Sequence, residues 1–64
     1  MILSELLMNY YSTEIILILP NVTLKGTGRW ILENNDSRIQ PWLETEMDYY
    51  ISSEDLVIIT WQQI

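Results

Sequence analysis

No cysteine and no histidine occur in these 64 residues. The first absence removes disulfides, and the two together remove the zinc sites built from thiolate and imidazole. They also remove the commonest general base, the thiolate nucleophile and any Ser-His-Asp relay. Basic residues are scarce: Lys25, Arg29 and Arg38 stand against nine acids, for a net charge of −6. Direct binding to nucleic acid phosphate or to an anionic membrane is electrostatically unfavourable for such a chain. Long apolar runs are lacking too, since Ile15 to Leu19 is far too short to span a bilayer and no basic segment precedes Met1-Ile2-Leu3. A cytoplasmic protein is expected, in which Asn21-Val22-Thr23 is a turn and not a glycosylation site. Glycine is confined to Gly26 and Gly28. That is one short of a dinucleotide fingerprint, and no Lys-Ser/Thr pair follows to make a phosphate loop.

What is present is apolar. Hydrophobic residues are 48% of the chain and charged residues 19%, too apolar for a disordered acidic tail. A single domain over residues 1–64 is expected. A chain this short buries only ~60% of the surface its unfolded form exposes. With disulfides and zinc excluded, self-association or a bound partner is the remaining supplement. The charge is lopsided. Residues 1–32 balance Glu5 and Glu14 against Lys25 and Arg29, while 33–64 hold Glu33, Asp36, Glu44, Glu46, Asp48, Glu54 and Asp55 against Arg38 alone.

In chain order, Ser4 is placed to cap a short helix from Glu5 to about Tyr11, with Leu3 and Met8 as a hydrophobic staple and Leu6, Leu7 and Tyr10 on one face. Glu14 to Leu19 reads as a central strand apolar on both faces, Ile15, Leu17 and Leu19 against Ile16 and Ile18. Two covers are needed; one helix supplies one, and a twin subunit is the candidate for the other. Pro20-Asn21 makes a turn. Val22 to Glu33 reads as a second strand interrupted at Gly26 and Gly28 by a bulge or bend, and Asn34-Asn35-Asp36-Ser37 closes a loop. From Arg38 two templates compete. Pro41 fits the first position of a helix, or it precedes a strand with Leu43, Thr45, Met47, Tyr49 and Ile51 inward, after a one-turn helix near Ile39 to Trp42. The strand template fits better, because it gathers Glu44, Glu46 and Asp48 on the outer face. Ser52 to Asp55 turns the chain, with Ser52 and Asp55 in a capping-box-like relation, into a last strand Leu56 to Trp61. Trp30 and Trp61 are expected in the core. The fold class is α+β: one short N-terminal helix packed on a small antiparallel sheet of about four strands.

The candidate site is the outer face of that third strand, Trp42, Glu44, Glu46, Asp48 and Tyr50, extended by Glu54 and Asp55. Side chains at i and i+2 of a strand lie ~6.7 Å apart. That is too far for one shared cation without a folded loop, and the spacing of a calcium-binding loop is absent. No metal, cofactor or catalytic residue is expected, since a sheet this small offers no cleft in which a carboxylate pair could be desolvated. The same spacing approximates that of successive phosphates, so a groove lined by Lys and Arg could accept the stripe in place of DNA, with Trp42 and Tyr50 as flat anchors. The plainer account makes the acids a solvated face that discourages aggregation.

Ser4-Glu5-Leu6-Leu7, Glu14-Ile15-Ile16-Leu17, Lys25-Gly26-Thr27 and Asp55-Leu56-Val57-Ile58 together resemble the short acidic proteins encoded in accessory regions of phages and prophages of Gram-positive bacteria. Members of that group include anti-CRISPR proteins and uracil-DNA glycosylase inhibitors, several of them DNA mimics. Glu14 to Pro20 is similar to a strand of a phage uracil-DNA glycosylase inhibitor, but it continues as Asn21-Val22-Thr23-Leu24-Lys25 where that family turns acidic, so no functional residue is carried over. The resemblance implies a phage-type inhibitor, acting in the host cytoplasm on the basic surface of a nucleic-acid-binding protein. That inhibitor is expected to be a homodimer with no direct contact to nucleic acid or membrane; the competing expectation is a homo-oligomeric structural or assembly protein whose acids serve solubility only.

Overall fold

The structure is a computed structural model, described here for residues 1–34 and 36–61. Two short helices lie on one face of a four-stranded sheet. The elements are α1 (Leu3–Asn9), β1 (Glu14–Ile18), β2 (Thr23–Thr27), α2 (Gly28–Asn34), a 3-10 turn (Gln40–Trp42), β3 (Met47–Ser53) and β4 (Leu56–Trp61). The α+β class is as expected, and no described helix is long and apolar enough to cross a membrane.

The sheet order is β2-β1-β4-β3. β1 with β2 and β3 with β4 are the antiparallel neighbours that local reversals produce, but β1 and β4 run parallel, so the sheet is mixed and not antiparallel. The cause lies in composition. β1 and β4 are apolar on both faces and therefore take the two central positions, and the long connection through α2 and the 3-10 turn brings the second hairpin back alongside the first in that orientation.

The second correction falls on 28–34, expected as strand and found as helix α2. Thr27 ends β2, and its hydroxyl accepts the Trp30 N–H at 3.1 Å, the bond of an N-cap residue. The first two amides of α2 donate to the link after α1, Gly28 to the Tyr10 carbonyl and Arg29 to the Tyr11 carbonyl. Gly28 therefore marks a close helix crossing where the chain leaves the strand, a bend and not a bulge. A Cβ on Gly28 would lie 2.1 Å from the Leu7 carbonyl oxygen. Trp30, expected in the core, is 47% exposed and lies across Gly26.

α1 begins earlier than expected, at Leu3, and neither Ser4 nor any other side chain caps it. Its first orphan amides are satisfied by tertiary contacts: Leu3 donates to the Thr45 carbonyl (3.1 Å) and Ser4 to the Leu43 carbonyl (2.9 Å). Met8 is exposed, so the staple does not form, whereas Leu3, Leu6 and Leu7 are fully buried. The turn at Pro20-Asn21 closes as expected, Leu19 N–H donating to the Val22 carbonyl. Of the loop expected at Asn34 to Ser37, Asn34 ends α2 and Asn35 lies outside the described residues.

One face of the sheet makes the core. Ile15, Leu17, Val57, Ile59 and Met47 are buried beneath Leu3, Leu6, Leu7 and Ile31 of the helices, with Leu19 and Ile39 closing the end. No helix among the described residues covers the other face, where Ile18 and Tyr50 are exposed and Ile16, Leu56 and Ile58 half-buried. Register builds it in three rows across β2, β1, β4 and β3. The middle row is Lys25, Ile16, Ile58, Tyr50. On one side of it runs Thr23, Ile18, Thr60, Asp48, and on the other Thr27, Glu14, Leu56, Ser53. The smallest extent of the molecule is 18 Å, room for a sheet and one helix layer and no third layer.

Candidate functional site

The third strand begins at Met47, five residues later than a strand that follows Pro41 would, and this rearranges the expected site. Gln40–Trp42 is the one-turn helix, with Pro41 in its first positions. Trp42 and Leu43 pack against the core from there. Trp42 is therefore half-buried on the 3-10 turn and is not an exposed anchor on a strand face. Thr45 N–H donates to the Trp42 carbonyl, which leaves Glu44 exposed in the turn before β3.

Glu46 is exposed in an isolated bridge with Ile2, its carboxylate 3.3 Å from the Met1 amino group. Asp48 and Tyr50 are on β3 proper and face the uncovered side of the sheet, Tyr50 with 57% exposure. Glu54 and Asp55 form the two-residue tip between Ser53 and Leu56. Ser52 is the extra residue of a bulge between Ile51 and Ser53, so no capping box joins Ser52 to Asp55. An unbroken ladder of carboxylates is not what results. One ~6.7 Å step survives, Glu46 to Asp48, with Glu44 beside it, and Glu54 and Asp55 lie roughly 20 Å further along the same strand.

The inward face is corrected as well. Of Leu43, Thr45, Met47, Tyr49 and Ile51, only Met47 is buried. Tyr49 and Ile51 have the core-side register, opposite Ile59 and Val57, yet they are 41% and 63% exposed because the helix layer stops short of this edge. Tyr10 reaches it, its ring centroid 6.2 Å from that of Tyr49.

What the structure adds is a segregation of charge. β3 and its flanks carry Glu44, Glu46, Asp48, Glu54 and Asp55, and among the described residues the Met1 amino group is their single ion-pair partner. All three basic side chains belong to the opposite side. Lys25 is on β2, the far edge strand. Arg29 of α2 bonds Glu33 at 3.1 Å. Arg38, the one cation of the acidic half, is held beside the β1–β2 turn, where its carbonyl accepts the Asn21 amide. Its guanidinium and backbone N–H all donate to Asp36, which draws the Asp36 carboxyl down to about 2. The arginines are thus spent locally. Sequence could place the charges along the chain but not on opposite edges, because the strand order that separates them depends on the parallel pair.

Among the described residues there is no ligand-sized cavity and no cluster of acids placed to hold a metal ion. What the edge offers instead is contact surface: unpaired backbone beyond Met47, carboxylates at both ends, and the exposed side chains of Tyr49, Tyr50 and Ile51 between them. No family model, no curated protein and no solved structure matches the chain.

Proposed function

We propose that this chain is a non-catalytic binding protein of the phage-inhibitor type, which sets its acidic β3 edge against the basic, nucleic-acid-binding surface of a host protein. The observation that carries the reading is the segregation of Glu44, Glu46, Asp48, Glu54 and Asp55 along one edge, none of them in an ion pair with arginine or lysine among the described residues. A groove lined by Lys and Arg meets phosphates at intervals along a strand, and carboxylates at both ends of a ~20 Å edge engage such a groove at separated points. Tyr50 and Ile51 supply apolar contact between those points. Complementary charge of this kind speeds encounter and selects partners more than it deepens affinity.

The test uses immobilised protein and host extract, with bound proteins eluted by duplex DNA. Capture of nucleic-acid-binding proteins that DNA displaces is expected, together with its loss in the variant E44Q/E46Q/E54Q/D55N, whose circular dichroism should match the parent. Capture that neither DNA nor removal of the four charges affects would remove the reading.

A further inference from the structure

The uncovered face of the sheet carries a second surface, which shares Asp48 and Tyr50 with the acidic edge. Ile16, Ile58, Ile18 and Leu56 lie side by side on the two central strands, and none of them belongs to the core cluster or packs against it. Both helices are on the other face. We propose that this face is a self-complementary dimer interface, closed by a second copy of the chain about a two-fold axis parallel to β1 and β4.

Charge placement selects both the occupant and the axis. Lys25 is the one cation of the face and sits at its β2 margin; Asp48 sits at the β3 margin, one row away. Within a chain three strand spacings and one row separate them, so they are about 16 Å apart and do not pair. Two sheets stacked face to face are ~10 Å apart. A two-fold axis along the strands lays β2 of each copy over β3 of the other, which brings each Lys25 within reach of the other copy's Asp48 and over its Tyr50 ring. The same operation lays Ile16 over Ile58 and Ile58 over Ile16, an aliphatic centre between two ion pairs. The alternative axis, across the strands, stacks Lys25 on Lys25 and is disfavoured. Glu14 lies in an outer row, where its carboxylate reaches the rim.

Four strands by five residues give a footprint of roughly 300 Å², well below the about 800 Å² per partner of a standard stable interface. The dimer is therefore weak, with a dissociation constant of about 1 to 100 µM. Glu44, Glu46, Glu54 and Asp55 are outside the three rows, so the E44Q/E46Q/E54Q/D55N variant that tests the acidic edge leaves the charges of the dimer in place.

Sedimentation equilibrium over a concentration series to about 1 mM tests the inference on the full chain. The parent should pass from 7.6 kDa to twice that mass. Lys25→Glu alone and Asp48→Lys alone should each weaken dimerisation by roughly tenfold or more, while an equimolar mixture of the two should form a heterodimer in which both ion pairs are restored. That rescue cannot come from misfolded chains. Ile16→Ser should leave a folded monomer. A parent that stays monomeric to the highest concentration, or single charge variants that dimerise as well as their mixture, would overturn the proposal.

Discussion

Gly28 and Gly26 are two residues apart, yet the space around them sets very different tolerances. The missing Cβ of Gly28 faces backbone, 2.1 Å from the Leu7 carbonyl oxygen and 2.7 Å from that of Tyr10. Neither can move without parting the helices. Gly28→Ala should cost roughly 2–4 kcal/mol, measured by urea unfolding. At Gly26 the nearest atoms belong to the exposed Trp30 ring, which can swing outward, so Gly26→Ala should cost less than about 1 kcal/mol and shift Trp30 fluorescence. Equal losses at both positions would contradict the helix crossing. Asp36 gives a second test at this scale. Arg38 lowers its carboxyl from 3.8 to about 2 in the folded chain, so between those values the unfolded chain binds more protons. The stabilisation is complete above about pH 4 and disappears as pH falls towards 2. A carboxyl titration by NMR should show the low midpoint, and Arg38→Gln should return it towards 3.8.

Among the elements, β3 shows most clearly how register and burial come apart. Ile51 opposes Val57 and shares the core-side face, but it is 63% exposed where Val57 is 2%. Ile51→Thr should therefore change stability by no more than about 0.5 kcal/mol, whereas Val57→Ala, followed by the same urea titration, should cost about 1.5–3 kcal/mol. Strands whose apolar residues alternate or run together were legible from residue type alone: β1, β4 and the faces of Ile15, Leu17 and Leu19 are as expected. Three features were not, because each depends on a distant contact. The start of α1 is fixed by carbonyls from 43 and 45, the turn of β2 into α2 by carbonyls from 10 and 11, and the delayed start of β3 by the packing of Trp42 and Leu43. Thr27 was the one local signal available at α2, a capping residue ahead of Arg29 and Glu33. The stripe on Glu44, Glu46 and Asp48 needs a strand directly after Pro41 and Trp42, and the further turn closed by Thr45 N–H on the Trp42 carbonyl shortens it to Glu46 and Asp48.

For the whole molecule, ionic strength acts on three equilibria in different ways. Unscreened in water, two carboxylates ~6.7 Å apart repel by about 0.6 kcal/mol. With a Debye length of about 8 Å at 0.15 M and 3 Å at 1 M, that falls to about 0.3 and then below 0.1 kcal/mol. Nine acids against three bases make repulsion outweigh the few exposed ion pairs, so the fold should gain up to about 1 kcal/mol between 0.15 and 1 M sodium chloride, a rise in Tm of up to roughly 7 °C. The triple variant E44Q/E46Q/D48N should be more stable at low salt and respond less. A complex made through the acidic edge must move the other way, losing affinity over the same range, because it exchanges that repulsion for attraction to Lys and Arg. The proposed dimer falls between them: salt screens the Lys25 to Asp48 pairs and also the repulsion between two chains of net charge −6, and the two effects oppose each other. Calorimetry, partner binding and sedimentation at the same two salt concentrations should then give a gain, a large loss and little change. A fold that loses stability in salt would mean that its ion pairs, and not the crowding of carboxylates along β3, dominate its electrostatics.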